Sequence, residues 1–508
     1  MTDYIDLRTE IEIKIEQLQM DCKRSFEDIL EWLINSSRPE HVHEVEDGLW
    51  LRLLALGCQL ITLWTVCRLP SGAIRILHRK GGRYLYQGLC NEPIKTRFGV
   101  VQQLRRVYLL VSGNGPKQLS PDDRLIGLSS GRMSLRVQFL TAFLAARLSF
   151  DESLVFLRQF SGYTPSKRSS LGIIDQLGPS ARAFVDQLPA PEDDGEILVI
   201  QIDCKGTPMI HPDEHAKRCR PHKKRPKGSS RRNARRLKQK QDKKPRRKKG
   251  EKSKNARMSP VAVVYTLSRL PDGSLEGPIN KRILSVFGSI DSLRSRLERE
   301  VKQRGYGKKQ TIFLADGQKE LWGLQQELFP KAIPCLDWYH LSEYLWDAGG
   351  TCHKEGSKEL TAWVKQRQTE LRNGNTDATI EALDELWQQI GARGPGATRR
   401  KRVEKAITYI TNHLEQLNYK QLLAQDIDIA TGAVEGAVKY LIGVRLDAQG
   451  MRWSERAKHV LALRLVMLNG VWSEFEQYVI REHEGLQDLV IPRITPKGPQ
   501  KLPRNKAA

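Results

Sequence analysis

Five apolar runs between residues 197 and 337 limit how this chain can fold more than any other feature. The first three follow one another without a helical segment between them. Helical periodicity, at 290–304 and 318–329, separates the third run from the fourth and the fourth from the fifth. The predicted order is therefore β-β-β-α-β-α-β, followed by a helix. The predicted strands are 197–203, 259–268, 282–289, 310–316 and 332–337.

This is the strand order of a ribonuclease H-like domain, an α/β fold whose first, fourth and fifth strands are parallel. A helical pattern from about 338 to 430 predicts an all-helical insertion in that domain, and a mainly helical N-terminal region precedes it. A helix pair upstream, each helix preceded by a serine as capping favours, has a helix–turn–helix pattern typical of DNA binding or of simple helical packing. The predicted regions are a helical and mixed region at 1–112, the helix–turn–helix region at 113–188, the ribonuclease H-like domain at 196–482 and a flexible tail at 483–508.

Each strand of the predicted parallel core ends on a carboxylate. Asp203, Asp316 and Asp337 close the first, fourth and fifth strands, and ligands of open α/β sheets gather beyond those ends. Three neighbouring carboxylates repel one another unless a cation neutralises them, and Mg²⁺ takes hard oxygen ligands. Gly317, directly after Asp316, would let backbone or DNA approach closely. The pattern predicts a divalent-metal site. The alternative is that the second and third aspartates only cap the helices that follow them.

A further acidic ligand is predicted in the segment TGAVEGAVKYLIGVRL. A helix that begins at Thr431 or Gly432 places Glu435 in its first turn. The alternative is a glutamate favoured there only by the helix dipole. A threonine capping box would need its acid at position 434, so the spacing weakens that alternative. Asp426 and Asp428 lie nearby and compete for the same role.

The positive charge of the chain is concentrated in one segment. Lys and Arg number 83 against 59 Asp and Glu, and 22 of these cations, with only two acids, fall between residues 217 and 257. Phosphate neutralisation with counterion release makes DNA the expected partner, and a solvated loop is the alternative. The segment contains no Phe, Tyr or Trp, which argues against base stacking. The predicted DNA-binding residues are Lys223, Lys224, Arg225, Arg231, Arg232, Arg235, Arg236, Arg246, Arg247, Lys248 and Lys249.

The eight cysteines have no CxxC spacing, which indicates reduced thiols. The acidic amino terminus has no cationic and apolar leader. The most hydrophobic run, 53–67, is too short for a bilayer and predicts a buried helix. We therefore expect a cytoplasmic protein without a membrane partner.

Several blocks resemble one known family. The segments IQIDCKG, LADGQKELW, CLDWYHLSEYLW, TGAVEGAVKYLIGVRL and GMRWSERAKHVLALRLVMLNGVW are similar to those of the Kra-type family of bacterial insertion-sequence transposases. The resemblance covers about residues 115 to 480. One difference lies upstream, where relatives often carry a Cys-x-x-Cys pair and this chain has RVYLLVSGNG. A structural zinc is therefore not expected there.

The resemblance implies a DDE transposase, which cuts the DNA ends of its mobile element and joins them to target DNA. It implies Asp203, Asp316 and Glu435 as the metal-binding catalytic triad, with two Mg²⁺ ions that Mn²⁺ can replace. It also implies a D-x-x-H element with Asp337 as an accessory acid and His340 as a catalytic residue. The implied partners are the element's terminal repeats, target DNA and further copies of the same chain, in the nucleoid of a bacterium.

Two other functions share these features. A ribonuclease H-like nuclease or resolvase would use the same carboxylates without joining strands. In a non-catalytic basic nucleic-acid-binding protein the acids would be structural, and neutralising any of them would leave its activity intact. His340 has a structural alternative as well, a histidine packed in the core.

Overall fold

The computed structural model describes residues 4–35, 41–79, 81–128, 131–210 and 256–488. The chain forms two compact units, residues 1–176 with 472–508, and residues 177–471. The helices are α1 (Arg8–Ile34), α2 (Val42–Cys67), α3 (Asp122–Leu125), α4 (Leu135–Arg147), α5 (Phe150–Phe160), α6 (Lys167–Asp186), α7 (Asp291–Gln303), α8 (Lys319–Leu328), α9 (Trp338–Gly349), α10 (Lys358–Arg372), α11 (Thr376–Gln389), α12 (Pro395–Thr411), α13 (Tyr419–Leu423), α14 (Gly432–Val438), α15 (Ala457–Leu468) and α16 (Trp472–Asp488). The strands are β1 (Tyr4–Asp6), β2 (Gly72–Ile74), β3 (Ile76–Arg79), β4 (Gly82–Thr96), β5 (Gly99–Gly113), β6 (Gln118–Leu119), β7 (Ile197–Pro208), β8 (Ala256–Arg269), β9 (Leu275–Ser285), β10 (Gln310–Ala315) and β11 (Ile333–Leu336).

The second unit is built on a five-stranded sheet with the order β11-β10-β7-β8-β9. Strands β7, β10 and β11 are parallel, whereas β8 is antiparallel to both of its neighbours. In chain order the sheet therefore reads fifth, fourth, first, second, third. This topology is that of the ribonuclease H-like fold, and the predicted α/β fold class is confirmed.

Burial explains why these segments form the centre of the sheet. Every residue from Ile197 to Ile202 is buried, and so is every residue from Thr311 to Ala315, because helices cover the sheet. Helix α7 packs on β8 and β9 with Leu293, Leu297 and Val301 as its fully buried stripe at helical spacing. The continuous apolar runs in the sequence are thus the signature of strands enclosed on both faces.

Strand β7 extends further than its apolar run. Its antiparallel pairing with β8 continues past Asp203, which lies opposite Val261, and ends with Pro208 opposite Ala256. The predicted strand ended at residue 203 because the hydrophobic pattern stops there. Only one neighbour accompanies β7 over this extension, since β10 ends at Ala315.

Helices α9 to α13 follow β11 and form a helical block before the chain returns to the sheet. The return is made by α14, which packs against β7 and β8 and continues into a π-helical turn over Lys439–Gly443. Helix α14 therefore lies beside the first strand, although more than 200 residues separate the two in sequence.

The first unit combines two long helices with a four-stranded antiparallel sheet of order β3-β4-β5-β6. Helix α2 packs on α1 and on β5. Further along, Ser149 caps α5 by accepting a hydrogen bond from the backbone N–H of Glu152, and the hydroxyl of Ser166 accepts one from the N–H of Ser169 at the start of α6. The predicted serine caps of this helix pair are present.

Helix α2 differs from its prediction. It spans Val42–Cys67, longer than the predicted run of 53–67, and only 17 % of its most apolar 18-residue window is buried. The predicted buried helix is therefore wrong in length and in burial. By length and composition alone the helix could cross a membrane, a property that it shares with core helices of soluble proteins.

Candidate active site

Three aspartates stand in one row at the carboxyl edge of the parallel strands. Ala315 of β10 pairs with Ile202 of β7 on one side and with Leu336 of β11 on the other. In each of the three strands the next residue is an aspartate. Neighbouring strands lie about 4.8 Å apart, so the register brings the three carboxylates together. These residues are Asp203, Asp316 and Asp337.

Asp337 is the fully buried member of this row, and both of its oxygens are engaged. Oδ1 accepts hydrogen bonds from the backbone N–H and the hydroxyl of Thr431, at 2.9 and 2.7 Å. Oδ2 accepts one from the backbone N–H of His340 at 2.9 Å and lies 2.6 Å from its Nδ1. Burial alone would raise the pKa of Asp337, but these hydrogen bonds outweigh it and hold the pKa below its ordinary value. Asp337 caps α9, as the alternative predicted. It also holds the His340 ring and Thr431, which precedes α14.

His340 presents a charged ring to the site. The hydrogen bond to Asp337 raises the pKa of His340 to about 9, and the negative charge of Asp316 adds to the rise. The ring is therefore an imidazolium at neutral pH, and with Nδ1 held by Asp337 its Nε2 is the nitrogen left for a ligand. The side chain is 44 % exposed, so the alternative of a histidine packed in the core is wrong.

Glu435 lies in the first turn of α14, and a residue that the sequence analysis missed fixes this turn. Thr431 is the N-cap residue, but its hydroxyl donates to the buried aspartate and makes no cap hydrogen bond to the helix. Gln201, buried on β7, caps the helix instead, because its Oε1 accepts a hydrogen bond from the backbone N–H of Val434 at 3.0 Å. Its Nε2 donates to the backbone carbonyl of Ala430 at 3.2 Å. The first turn of α14 is thus fixed to the strand that carries the first aspartate.

Asp337 of the row forms an acidic cluster with His340 of α9 and Glu435 of α14. Ligand atoms of Asp337, His340 and Glu435 all lie within 4.8 Å of one another, and no other group of three in the described part of the chain meets that limit. Asp203 is close enough for its pKa to respond to the cluster. Burial raises the pKa of Asp203, and the carboxylates of Asp316 and Glu435 raise it further, against a hydrogen bond from its neighbouring backbone N–H. Asp337, His340 and Glu435 therefore lie together, whereas Asp203 and Asp316 belong to no group of three within that limit among the described residues.

The two competing acids lie in the turn before α14. Asp428 is exposed and accepts a hydrogen bond from the backbone N–H of Ala430 at 3.0 Å, and Asp426 has a positive φ of 61°. Neither is among the charges that shift the pKa of Asp203. Of the three candidates, Glu435 is the one that the fold brings to the cluster.

A second missed residue contacts the turn after Asp316. The Asp316 oxygens accept hydrogen bonds from the backbone N–H and the side-chain amide of Gln318, at 3.0 and 2.9 Å. Gly317 packs against Tyr409 of α12, and a Cβ at this glycine would lie 2.3 Å from a ring carbon. The Tyr409 ring also stacks on Tyr344 at 4.2 Å. A tyrosine side chain of the helical block thus approaches Gly317, where the sequence predicted backbone or DNA.

The predicted DNA-binding residues between 223 and 249 lie outside the described residues. At the end of the same basic segment, Arg257 is described and pairs with Glu455 at 2.6 Å.

No protein-family model and no curated protein matches this sequence. Among solved structures, the chain is similar to one described as a Drosophila P element transposase strand transfer complex. The TM-score is 0.32 and the sequence identity 10 %, and the match covers 65 % of this chain and 90 % of that one.

Proposed function

We propose that this protein is a DDE transposase, which cuts the DNA ends of a mobile element and joins them to target DNA with the help of divalent metal ions. The observation that carries the proposal is the register of β7, β10 and β11. Three aspartates follow the paired strand ends in one row at the edge of a ribonuclease H-like sheet, and Glu435 lies within 4.8 Å of one of them, Asp337. The sequence blocks that resemble Kra-type transposases contain these same residues.

In this proposal Asp203, Asp316 and Glu435 would hold two Mg²⁺ ions, as the Kra-type resemblance implies. Of the three, only Glu435 belongs to the described group of ligand atoms that lie within 4.8 Å of one another. The donors present suit a hard cation, because carboxylate oxygens are the ligands that Mg²⁺ and Mn²⁺ take. The raised pKa of Asp203 supports the same conclusion, since a bound cation would offset the burial and the neighbouring negative charges that cause it. Bound ions would supply activation of the attacking oxygen and stabilisation of the leaving oxygen in an in-line displacement.

Two displacements of the same kind account for cutting and joining. In the first, a water oxygen forms a bond to the scissile phosphorus, the bond to the leaving oxygen breaks, and a free 3′-hydroxyl remains at the element end. In the second, that hydroxyl forms a bond to a phosphorus of target DNA and displaces the oxygen there. The number of phosphodiester bonds is unchanged in the second step, so no energy source and no protein nucleophile are required.

His340 is proposed to act on the phosphate directly, and Asp337 to position it. An imidazolium with Nδ1 anchored to Asp337 can donate from Nε2 to a phosphate oxygen or to the attacking water. Both oxygens of Asp337 are occupied by hydrogen bonds, so its role is to orient His340 and Thr431. Asp337 is therefore a positioning residue, and the residues that would touch metal or DNA are the other four.

DNA is the proposed partner. A basic segment at 217–257 would neutralise backbone phosphates without reading sequence. The helix–turn–helix region at 113–188 is proposed to contact the terminal repeats, and a cytoplasmic location on the nucleoid follows from that partner.

The test is cleavage of labelled DNA that carries the ends flanking the gene, with Mg²⁺, with Mn²⁺ and with chelator. Wild type should cut at the ends and yield joined products with target DNA only when metal is present, and Asp203→Asn should do neither. Cuts without joined products would favour a ribonuclease H-like nuclease. DNA binding that survives in Asp203→Asn, with no cutting by wild type under any metal, would indicate a non-catalytic DNA-binding protein and overturn the proposal.

A further inference from the structure

Helix α2 carries an apolar face that stays largely exposed among the described residues of its unit. Its residues are spaced four, three, four and four positions apart, close to the repeat of a helix that packs along another helix. Leu53, Leu60 and Trp64 are 45 %, 49 % and 45 % exposed. The other two residues are half-buried. We call this set the leucine face, and its members are Leu49, Leu53, Leu56, Leu60 and Trp64.

The contacts that fix α2 in its unit use other positions. Gly48 and Arg52 face Trp32 of α1, with the guanidinium of Arg52 3.8 Å from the centre of that ring. Gly57 lies against Phe98 at the turn between β4 and β5. The leucine face lies between these two contacts, and three of its five residues keep at least 45 % of their surface exposed while α2 is held in this way.

Charge at the two ends of this face indicates what covers it. Glu46 precedes the face at the same spacing, and Arg68 follows it at the end of the helix. If a second α2 packs in the opposite direction, Leu53 meets Leu60 of the second copy, Leu49 meets its Trp64, and Glu46 lies beside its Arg68. A parallel pair would instead put each glutamate and each arginine against its own like charge. The face is thus complementary to itself in the antiparallel orientation, as a twofold dimer interface requires.

We propose that the leucine face of α2 is a homodimer interface in which α2 packs antiparallel on α2 of a second copy of this chain. A bilayer is the other apolar environment that α2 could enter by length and composition. It is disfavoured because Arg52 lies within the apolar stretch of the helix and Glu46 and Asp47 lie just before it. This inference does not depend on the proposed function, since it concerns neither the acidic cluster nor DNA.

The first test measures the mass of the full chain by sedimentation across a range of concentrations. Wild type should be a dimer, and Leu53→Glu and Leu60→Glu should each raise its dissociation constant by roughly 100-fold, because a twofold interface buries the new charge twice. Leu51→Glu is the matched control. It changes an exposed leucine of the same helix, 66 % exposed, that points away from the leucine face, and it should leave the mass unchanged.

The second test uses charge reversal, which leaves the leucines in place. Glu46→Arg alone and Arg68→Glu alone should each weaken the dimer, whereas the double reversal should restore most of the affinity. In a parallel dimer neither single reversal would change the sign of any pairing. Weakening by the single changes that the double change fails to repair would therefore contradict the antiparallel arrangement.

The third test fixes the orientation by cross-linking. Cys67 is exposed at the end of the leucine face, and in the antiparallel pair it lies opposite Glu46 of the second copy. Glu46→Cys should thus give a disulfide-linked dimer on mild oxidation, and Cys67→Ser in the same chain should abolish the link. A link through Cys67 in the otherwise unchanged protein would indicate a parallel pair.

Three outcomes would overturn the proposal. The first is a wild-type monomer at all concentrations. The second is a dimer unaffected by both leucine changes while circular dichroism shows a folded chain. The third is a monomer that floats with phosphatidylcholine–phosphatidylglycerol vesicles and loses this binding in Leu53→Glu, which would assign the face to a membrane.

Discussion

The two ends of the parallel strands in the second unit hold buried aspartates in opposite electrostatic settings. At the amino end, Asp194 bonds the fully buried guanidinium of Arg304 at 2.5 and 2.9 Å. Burial would raise the pKa of Asp194, but the hydrogen bonds from Arg304 and Thr266 lower it to about 2. At the carboxyl end, burial and the carboxylate of Asp316 raise the pKa of Asp203.

The difference separates a structural acid from a functional one. Asp194 has a fixed cation for a partner, so its charge stabilises the fold. Asp203 has the acids Asp316 and Glu435 for neighbours, and His340 offsets them only in part, so its charge opposes folding as long as no cation from outside the chain is bound. Such an arrangement is expected where a site must bind a ligand and not where a fold must be held. The predictions below test this contrast in order of expected effect.

The largest effect is expected from Asp203→Asn. Cleavage and joining should fall by roughly three orders of magnitude, because a ligand of the proposed metal ions is lost. The free energy of unfolding should stay the same or rise, since the change removes one of the repelling charges. Assays of DNA cleavage and of urea unfolding on the same preparations check both statements. If Asp203→Asn lost stability together with activity, Asp203 would be a structural acid like Asp194.

At the amino end of the parallel strands, a change at Asp194 should lower stability and leave activity intact, the reverse of the change at Asp203. Asp194→Asn should lower the free energy of unfolding by about 3 kcal/mol, because the buried Arg304 loses both of its short bonds to a carboxylate and keeps the more distant Glu300 carboxylate, at 3.8 Å. At saturating metal and below its unfolding temperature, the variant should still cut DNA. Glu455→Gln, which breaks the exposed ion pair with Arg257, is the control and should leave the unfolding midpoint unchanged.

The acid dependence of stability should show the same contrast. The pKa of Asp194 is depressed in the folded protein, so its contribution is fully present above its ordinary pKa, near 4, and is lost as the pH falls toward 2. The stability difference between wild type and Asp194→Asn should therefore be largest at neutral pH and shrink in that window. Asp203 should act in the opposite sense, because its pKa is raised. Asp203→Asn should be more stable than wild type at neutral pH, and this difference in stability should disappear in acid. Unfolding curves at pH 2.5, 4 and 7 check both trends.

Gln201→Leu is expected to weaken metal binding through α14. Loss of the cap at Val434 loosens the turn that carries Glu435, so the metal concentration for half-maximal cleavage should rise by roughly tenfold. Gln325→Leu is the control, since it removes another buried glutamine that bonds backbone, at Phe329, away from the cluster. If both variants shift the metal midpoint equally, Gln201 has no positioning role.

Tyr409→Phe should have the smallest effect. It removes the hydroxyl that lies against Gly317 and keeps the ring that stacks on Tyr344. Cleavage should slow by about threefold, as the turn after Asp316 loses part of its packing. Tyr306→Phe provides the comparison, because it removes a hydroxyl that accepts the backbone N–H of Lys331, and its loss should not slow cleavage.

The sequence predicts the sheet order and the strand-end acids because both are local patterns. Apolar runs mark strands enclosed on two faces, and the residue that ends each run is visible directly, as at Asp203 and Asp316. Glu435 is one of three acids that spacing leaves open, and only the fold separates it from Asp426 and Asp428. The strand-end acids depend on spacing alone, and the parallel topology then sets them in one row.

The residues that position the site act through tertiary contacts, which leave no local pattern in the sequence. Gln201 caps a helix that begins more than 200 residues later, and Tyr409 contacts Gly317 across the helical block. Asp194 and Arg304 are likewise 110 positions apart. The error at α2 has another cause, since an apolar run of this length is typical of a buried helix and of an open helix face alike.

The hydrogen bonds between Asp337 and Thr431 also bear on how this chain tolerates changes in length. The two residues lie 94 positions apart, one just before the helical block and the other just after it, and a single carboxylate holds them together. The entropy cost of closing a chain segment between two fixed ends grows only with the logarithm of the length of that segment. Insertions and deletions at the outer turns of the block should therefore leave the carboxylates where they are. The helical block can therefore vary in length, whereas the carboxyl edge of the parallel strands must keep its register.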